Sequence, residues 1–421
     1  MVAIFAFAAV VSYTDRLILN QLVEPVRRDL AIDDVQMSFL QGGAFAVIYV
    51  LAGLPLGRLA DRAHRLNLVR LGAAVWSVGT IACAFAPGFW TLFAGRLVVG
   101  IGEAALGPAV ASIIGDTFPP ARRGTALGIF LMSSVIGVSA SVLVGGLLLH
   151  AADQSWFGAW PVVGALAPWR QVLVLVGLPG ILVIALLALL REPMRRERAG
   201  SGSLRAVARH FVDDRARLVP IYLGMGLFSI GDFAILTWTP AMVERRFGWD
   251  PAAVGSVFGT IIAVTAFAGS LVGGIASDWA DRRGGLAARL GCIMLAAAVA
   301  LAGPLLLVLG SAPAALAGVT LWLFATSVVG VAAIATLQTL LPNELRGVGI
   351  SLVSFCNILL GMGLGPSATA LITEHVLGDP AKVGLAVALV ALAAGLAGTL
   401  LFARGRAVQS EDEARRLAAR T

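Results

Sequence analysis

Charged residues are scarce in this chain. They make up 13% of its 421 residues, whereas ordinary soluble domains carry about 25%. Hydrophobic residues account for 58%, and the mean hydropathy is +0.90. A chain of this length and apolarity does not stay in solution, so the composition excludes a soluble globular protein and indicates an integral membrane protein.

Cysteine and histidine are also sparse. Cys83, Cys292 and Cys356 each stand alone in an apolar run, with no spacing for a disulfide or a metal site. We therefore expect no metal and no cofactor. There are only four histidines. The sequence contains no H-E-x-x-H, no G-x-S-x-G and no P-loop, so we do not expect an enzyme or an ATP-driven pump. A channel or a sensor remains as another class, but no segment is long enough for a soluble output domain.

Long hydrophobic runs are abundant, and about 20 apolar residues cross a bilayer. The first run has no basic n-region and no cleavage site, so we interpret it as a span and not as a signal peptide. Twelve spans are predicted at 1–24, 38–59, 67–87, 89–115, 123–150, 169–190, 217–243, 252–277, 286–310, 314–341, 347–373 and 381–403.

The basic residues indicate the topology. Most of the 31 lie after the even-numbered predicted spans, in the central break and in the C-terminal tail. By the positive-inside rule both termini are cytoplasmic, in an inner (cytoplasmic) membrane. The net charge of +7 is then a topology signal, and we expect no nucleic-acid partner.

The break at 191–216 divides the chain into a six-helix bundle at 1–190 and a second at 217–403, with a tail at 404–421. Within the break, "LRAVARHFV" has apolar residues on one helical face and arginines on the other. This pattern predicts an amphipathic helix, lying on the membrane surface or packed against the ends of the bundles.

Three sequence matches indicate an internal repeat. Gly57-x-x-x-Asp61 recurs as Gly274-x-x-x-Asp278, Arg123-Gly124 recurs as Arg346-Gly347, and a similar offset carries Asp15 onto Asp232. The fold class predicted is all-α, with twelve transmembrane helices in two pseudo-symmetric six-helix bundles and a substrate path between them.

Several segments resemble the major facilitator superfamily. "GRLADRAHR" at 57–65 is similar to its cytoplasmic loop signature, although His64 replaces a glycine, and "RLVVGIGEA" at 96–104 is similar to its fourth-helix motif. The fifth-helix pattern is partial and lacks its proline. "YTDR", "GIGEA" and "PWRQVLVLVGLPG" resemble the Spinster-like transporters, whose eukaryotic members are associated with sphingosine phosphate and lysophospholipids.

Asp15 and Arg16 lie side by side in the first span, where a charge is costly and usually marks a pathway. They point about 100° apart, so each should find its partner on another span. We predict that Asp15 couples transport to protons and that Arg16 binds an anionic group. On span 4, Arg96 and Glu103 are two turns apart and share a face. Glu103 is the second proton candidate, and the resemblance associates Arg96 with substrate or proton handling, with a structural ion pair as the alternative.

Other polar and aromatic side chains inside the spans are candidate substrate contacts, although hydrogen bonds between helices explain each of them as well. They are Tyr13, Gln41, Tyr49, Asp232, Trp238 and Asn357. The resemblance implies a gating role for a further set at the cytoplasmic ends, with Gly57 allowing a close approach and Asp61 forming a pair. This set is Gly57, Asp61, Arg62, Arg65, Arg123, Asp278 and Arg346.

The sequence thus predicts a secondary transporter that works by alternating access as a monomer, coupled to protons, for an amphipathic or anionic organic solute such as a lysolipid. The alternative is an anion–cation symporter for small organic carboxylates, because that group of the superfamily also has an Asp-Arg pair in span 1. Under either interpretation, the predicted partners of the protein are a small-molecule or lysolipid substrate, protons and the lipid bilayer.

Overall fold

The computed structural model of the chain describes residues 1–195, 204–342 and 345–418. Every regular element in these ranges is helical. Eleven helical segments are long and apolar enough to cross a membrane. In chain order they are Val2–Gln21, Asp34–Arg62, Arg65–Cys83, Phe89–Thr117, Arg122–Asp153, Pro168–Ala188, Arg215–Phe247, Pro251–Leu307, Ala312–Leu340, Arg346–Leu377 and Pro380–Glu411.

The segment Pro251–Leu307 contains two spans. Its 57 residues would extend about 85 Å as one helix, almost three times the ~30 Å hydrocarbon core. The helix is interrupted at Gly284 and Gly285, and Gly285 has φ 61° and ψ −153°, a conformation that glycine adopts without strain. Spans 8 and 9 therefore meet at this break, which gives twelve spans, as predicted.

Most predicted boundaries lie within a few residues of the observed ones. The largest difference is at the C-terminus, where the last helix, Val383–Ala418, continues through most of the predicted tail; 419–421 lie outside the described residues. In the predicted break at 191–216, residues 196–203 also lie outside them. A helix occurs in this break at Leu204–Asp213, and the Phe211 ring lies 5.7 Å from the ring of Tyr222 in span 7.

Several spans depart from regular α-helix where polar residues occur. Span 1 is α-helical over Val2–Leu17 and tightens to a 3₁₀ turn at Ile18–Gln21. Span 2 has a π-helical turn at Phe39–Gly43, and span 11 has one at Asn357–Met362. Such turns are frequent at functional sites, and these three contain Asn20, Gln41 and Asn357.

Tertiary contacts divide the chain into two compact units. Unit 1 is Met1–Gly200, Thr237–Ala263 and Glu374–Ala381, and unit 2 is Ser201–Leu236, Val264–Thr373 and Lys382–Thr421. We call the end of unit 1 that holds Met1 the near end, and the opposite end the far end. The domain boundaries drawn from sequence stay a prediction.

Spans 3 and 4 of unit 1 approach closely through glycine. A methyl group on Gly102 would lie 2.6 Å from the backbone nitrogen of Trp76 and 2.7 Å from the backbone oxygen of Gly72, so no larger residue fits there. In unit 2, a methyl group on Gly303 would lie 2.6 Å from the Gly318 oxygen. The contact at Gly102 fixes the position of the next residue, Glu103.

Candidate functional site

Four charged side chains meet inside unit 1, and all come from two spans. Span 1 provides Asp15 and Arg16, and span 4 provides Arg96 and Glu103. Each is at most 5% exposed. The two residues of span 4 lie on one helical face, as their spacing predicted.

The strongest contact in this cluster joins Arg16 to Glu103. The guanidinium Nε donates to Glu103 Oε2 at 2.8 Å, and Nη2 lies 2.7 Å from the same oxygen. The other carboxylate oxygen has no hydrogen-bond partner among the described residues. Three rings surround the guanidinium carbon: its distances to the ring centroids of Tyr13, Phe45 and Tyr49 are 4.3, 4.6 and 4.8 Å. Aromatic faces attract a desolvated cation, so the pocket holds Arg16 in place.

Asp15 is held by a different set of contacts. The Thr80 hydroxyl of span 3 lies 2.6 and 2.7 Å from its two carboxylate oxygens, whereas Arg96 Nη1 is 3.9 Å away. Arg96 donates instead to the backbone oxygens of Arg16, at 2.6 Å, and Leu40, at 3.3 Å. Asp15 and Arg16 therefore find partners on separate spans, which confirms that expectation.

The formal charges of this cluster sum to zero, with two cations and two carboxylates. Buried charges are tolerated when they are paired, and removing one partner leaves an uncompensated charge. Protonation of Glu103 would neutralise its carboxylate and leave the Arg16 guanidinium without its counter-ion. The guanidinium could then be neutralised by another anion, for which its planar fork suits carboxylate or phosphate.

Two more predicted residues, Gln41 and Trp238, lie in unit 1. Gln41 donates to Asn20 Oδ1 at 3.3 Å, joining the π-helical turn of span 2 to the 3₁₀ turn of span 1. Trp238 is fully buried, and its ring lies 5.7 Å from the guanidinium carbon of Arg245. Trp238 thus belongs to the far end.

Asp232 and Asn357 lie in unit 2. The Asp232 carboxylate accepts from the Trp322 indole N–H at 2.8 Å, and Asn357 Oδ1 accepts from the Ser229 hydroxyl at 2.7 Å. Each has a neutral partner on a neighbouring helix of that unit.

The gating residues of the near end are arranged differently from the expectation. A methyl group on Gly57 would meet no heavy atom of the described residues within 4 Å. The predicted close approach at Gly57 is therefore wrong for this structure. Asp61 and Arg62 are exposed, and no ion pair of theirs occurs among the described residues.

Arg65 is the buried anchor of this end. Its guanidinium pairs with Asp116 of span 4 and donates to Glu192 Oε1 at 2.7 Å and to Ser112 at 3.0 Å. Glu192 also accepts from the backbone N–H of Leu66 at 2.9 Å. Burial opposes the charged form of Glu192, but the hydrogen bonds from Arg65 and Leu66 outweigh it and lower its pKa.

Two other gating candidates support the internal repeat. Arg123 donates to the Phe118 carbonyl oxygen at 3.0 Å, and Arg346 donates to that of Leu341 at 3.3 Å. Each arginine therefore donates to the carbonyl oxygen five residues before it, and the two arginines occupy equivalent positions of the two halves. Asp278, the third candidate of this kind, is exposed.

An ion-pair cluster at the far end was not predicted. Arg245 Nε donates to Glu24 at 2.6 Å, and its Nη atoms donate to both oxygens of Asp34, at 2.7 and 2.8 Å. Asp34 also pairs with Arg27 at 2.9 Å, and its backbone N–H donates to Glu374 at 3.0 Å. Arg245 lies 221 positions from Glu24 and 211 from Asp34, and nothing in the local sequence indicates which charge meets which.

A cavity of about 360 Å³ lies beside this far-end cluster. Its lining includes Glu24, Arg28, Asp153, Glu244 and Arg245. None of the predicted substrate or proton residues is part of that lining. The four-charge cluster around Arg16 is therefore not part of this cavity.

The fold and these motifs identify the family. The family model of the Major Facilitator Superfamily matches residues 5–366. The chain belongs to this superfamily. The predicted fold class and the Spinster-like resemblance are confirmed.

Individual relatives of this superfamily member are distant. A sphingosine-1-phosphate transporter of Xenopus tropicalis is 24% identical over 404 residues, which cover 91% of this chain and 75% of the relative. A probable galactarate/D-glucarate transporter of Bacillus subtilis is 26% identical over 305 residues, 65% of this chain and 63% of the relative. The chain spans 46–63% of the length of several curated relatives that it matches.

Among solved structures, the chain is similar to a bacterial homologue of the human lysosomal transporter Spinster, in an inward-facing and unoccupied conformation. The TM-score is 0.77 at 24% identity, and the match covers 96% of this chain and 95% of the homologue. At this identity the likeness establishes the fold alone.

Proposed function

We propose that this member of the superfamily moves an amphipathic or anionic organic solute by alternating access, coupled to protons. It would work as a monomer in the inner membrane, with both termini cytoplasmic, and its bundles would be 1–190 and 217–403. The observation that carries the proposal is the buried pair of Arg16 and Glu103, because one partner binds anions and the other binds protons.

The coupling follows from competition for Arg16. When Glu103 is ionised it satisfies the guanidinium at 2.7–2.8 Å and an anionic substrate is disfavoured. When Glu103 takes up a proton, Arg16 needs a new counter-ion, and the substrate provides it. Proton binding and anion binding therefore favour each other. Asp15 is the other proposed proton site, with Thr80 as its hydrogen-bond donor.

Two classes of substrate are candidates for this site. The three rings around Arg16 suit an amphipathic molecule with an anionic head, and the Xenopus relative transports sphingosine 1-phosphate. The alternative is a small organic carboxylate, because the Bacillus relative is named a galactarate/D-glucarate transporter. Both classes would bind Arg16 through an anionic group, so they differ in the apolar part.

A binding panel distinguishes the classes. Thermal unfolding of the purified protein would be followed with lysophospholipids, sphingosine 1-phosphate, galactarate and glucarate, for wild type, Arg16→Ala and the control Arg58→Ala. Arg58 is exposed, so its variant removes one positive charge away from the site. We expect lipids to raise the unfolding midpoint of wild type and Arg58→Ala but not of Arg16→Ala. Stabilisation by carboxylates alone would favour the symporter, and an unchanged response of Arg16→Ala would refute the anion site.

Proton coupling has its own test. Transport of the stabilising compound into liposomes would be measured at several pH values for wild type and Glu103→Gln, which keeps the side-chain shape but cannot ionise. Wild type should depend on pH, and the variant should lose most of that dependence. A wild-type rate that is constant with pH would overturn the coupling.

The gating set completes the proposal. Gly57, Asp61, Arg62, Arg65, Arg123, Asp278 and Arg346 would set the populations of the transport states without touching substrate. The proposed substrate contacts remain Asp232, Trp238, Asn357, Gln41, Tyr13, Tyr49 and Arg96.

A further inference from the structure

One connection at the far end of unit 1 combines apolar composition with exposure. Residues 154–167, "QSWFGAWPVVGALA", link span 5 to span 6 and contain no charged side chain. Trp156 is 72% exposed, Trp160 46% and Val162 67%. A soluble loop with this composition would leave large apolar surfaces in water, so the loop needs an apolar environment.

Its position supplies such an environment. The loop begins where span 5 ends, at Asp153, and ends where span 6 begins, at Pro168, so it lies where the bilayer meets water. Indole rings concentrate at this level, because the ring is apolar and its N–H can still bond to water or head groups. Phe85 and Trp90, at the far ends of spans 3 and 4, are 51% and 76% exposed and continue the same belt.

The loop is folded and not a loose strand. Within it, Trp160 N donates to the Phe157 oxygen at 2.9 Å, and Gly164 N donates to the Trp160 oxygen at 2.9 Å. The two rings of Phe157 and Trp160 meet edge to face with centroids 5.5 Å apart. Val162 has φ 67° and ψ −55°, which is strained for a branched residue and persists only where the surroundings enforce it.

The base of the loop is fixed to unit 1. Arg170 donates to the backbone oxygens of Ala84 and Ala86 at 2.9 and 2.8 Å and to Asp29 at 2.9 Å. The Trp169 indole donates to the same Asp29 oxygen at 3.0 Å. These bonds link the start of span 6, where the loop ends, to Asp29 and to the connection between spans 3 and 4.

The equivalent connection of the second half lacks these features. Between spans 11 and 12, only Gly378 and Asp379 separate Ile372–Leu377 from Pro380–Lys382, and no aromatic residue is present. The internal repeat therefore does not account for the aromatic loop, which is a property of the first half alone.

We propose that residues 154–167 form a membrane anchor, with Trp156 and Trp160 inserted at the head-group boundary of the leaflet at the far end. The occupant of this surface is lipid, since the loop is uncharged and adjoins two membrane spans. The inference does not depend on the substrate or the coupling proposed above.

The test places a nitroxide in the loop and measures its surroundings in liposomes. Ala159→Cys leaves both tryptophans in place, and the matched control is Ala381→Cys, an exposed alanine in the short connection of the second half. Both would be built after replacing the three native cysteines by alanine. We expect a several-fold lower collision rate with a water-soluble nickel complex at 159 than at 381, together with a higher rate with oxygen, which concentrates in lipid.

Two results would overturn the anchor. Equal nickel access at 159 and 381 would mean that the loop lies in water. Low access to both reagents at 159 would mean that protein, such as a second copy of the chain, covers it. Adding Trp156→Ser and Trp160→Ser to the 159 variant should restore nickel access, and an unchanged depth would show that the tryptophans do not hold the loop.

Discussion

The Thr80 hydroxyl contacts both oxygens of the Asp15 carboxylate, at 2.6 and 2.7 Å, across 65 residues of chain. This single donor is the shortest contact of Asp15, and Arg96 remains 3.9 Å away. The charged form of a carboxylate is favoured by the hydrogen bonds that it accepts. In the proposed function, where Asp15 is a proton site, Thr80 is the hydrogen-bond donor closest to that carboxylate.

Thr80→Val tests that relationship, because valine keeps the shape and removes the donor. The Asp15 carboxylate loses its closest partner, so we expect the transport–pH profile of this variant to differ from that of wild type. Thr80→Ser is the control and should retain the wild-type profile. Identical profiles for all three proteins would contradict the role.

Gly102→Ala should destabilise the protein. The added methyl group would meet backbone atoms of span 3 at 2.6–2.7 Å, and backbone cannot move aside as a flexible side chain can. Overpacking of this kind costs about 1–3 kcal/mol, which should lower the thermal midpoint in detergent. Gly57→Ala is the matched control, since open space surrounds that position among the described residues. Similar midpoints for the two variants would show that the spans separate easily.

Arg245→Gln should lower the stability of the folded protein strongly, because Arg245 is the central cation of the far-end cluster. It would leave Glu24 and Asp34 without their main counter-ion, although Arg27 still reaches Asp34. Breaking a largely buried pair costs about 3–5 kcal/mol. Arg28→Gln provides the comparison. The Arg28 side chain is 82% exposed, and its nearest atom lies as far as 3.9 Å from the Glu24 carboxylate. Exposed pairs of this kind contribute under about 1 kcal/mol. The thermal midpoints of the two variants should differ clearly, and equal small losses would refute the cluster as a stabilising element.

Acid should weaken the near end through Glu192. Its pKa is lower in the folded protein than the ordinary value of 4.5, so it contributes stability above the unfolded pKa, and this contribution is lost as pH falls through the folded pKa. We expect Glu192→Gln to unfold at a lower temperature than wild type at about pH 7, with the gap narrowing at acidic pH. The measurement is the thermal midpoint of both proteins from neutral to acidic pH. A gap that stays constant would indicate that Glu192 acts through shape alone.

Hydropathy predicted the spans well because crossing a bilayer requires a fixed length of apolar helix, whatever the partners. The partners themselves were harder. Arg16 and Glu103 were both singled out, yet their pairing depends on how span 1 meets span 4. Thr80 escaped notice because a lone threonine in a span can bond to its own helix, as Thr336 does to the Ala332 oxygen at 2.8 Å.

Arg65 illustrates the same limit. Its position after a predicted span made it a gating candidate without indicating a partner, whereas its side chain reaches back to Asp116 and Glu192 and is fully buried. Charge patterns along a chain record which side of a membrane a loop occupies. They do not record which acid an arginine meets, since that depends on contacts between distant segments.

The zero net charge of the four buried residues has a consequence for energetics. A proton and a monoanion that enter together, as proposed for Glu103 and Arg16, leave that sum unchanged. The loaded carrier then moves no charge through the electric field, whereas each unbalanced charge would cost or gain about 2.3 kcal/mol per 100 mV. Accumulation of a monoanionic solute would be driven by the pH difference, and membrane voltage would neither help nor hinder it.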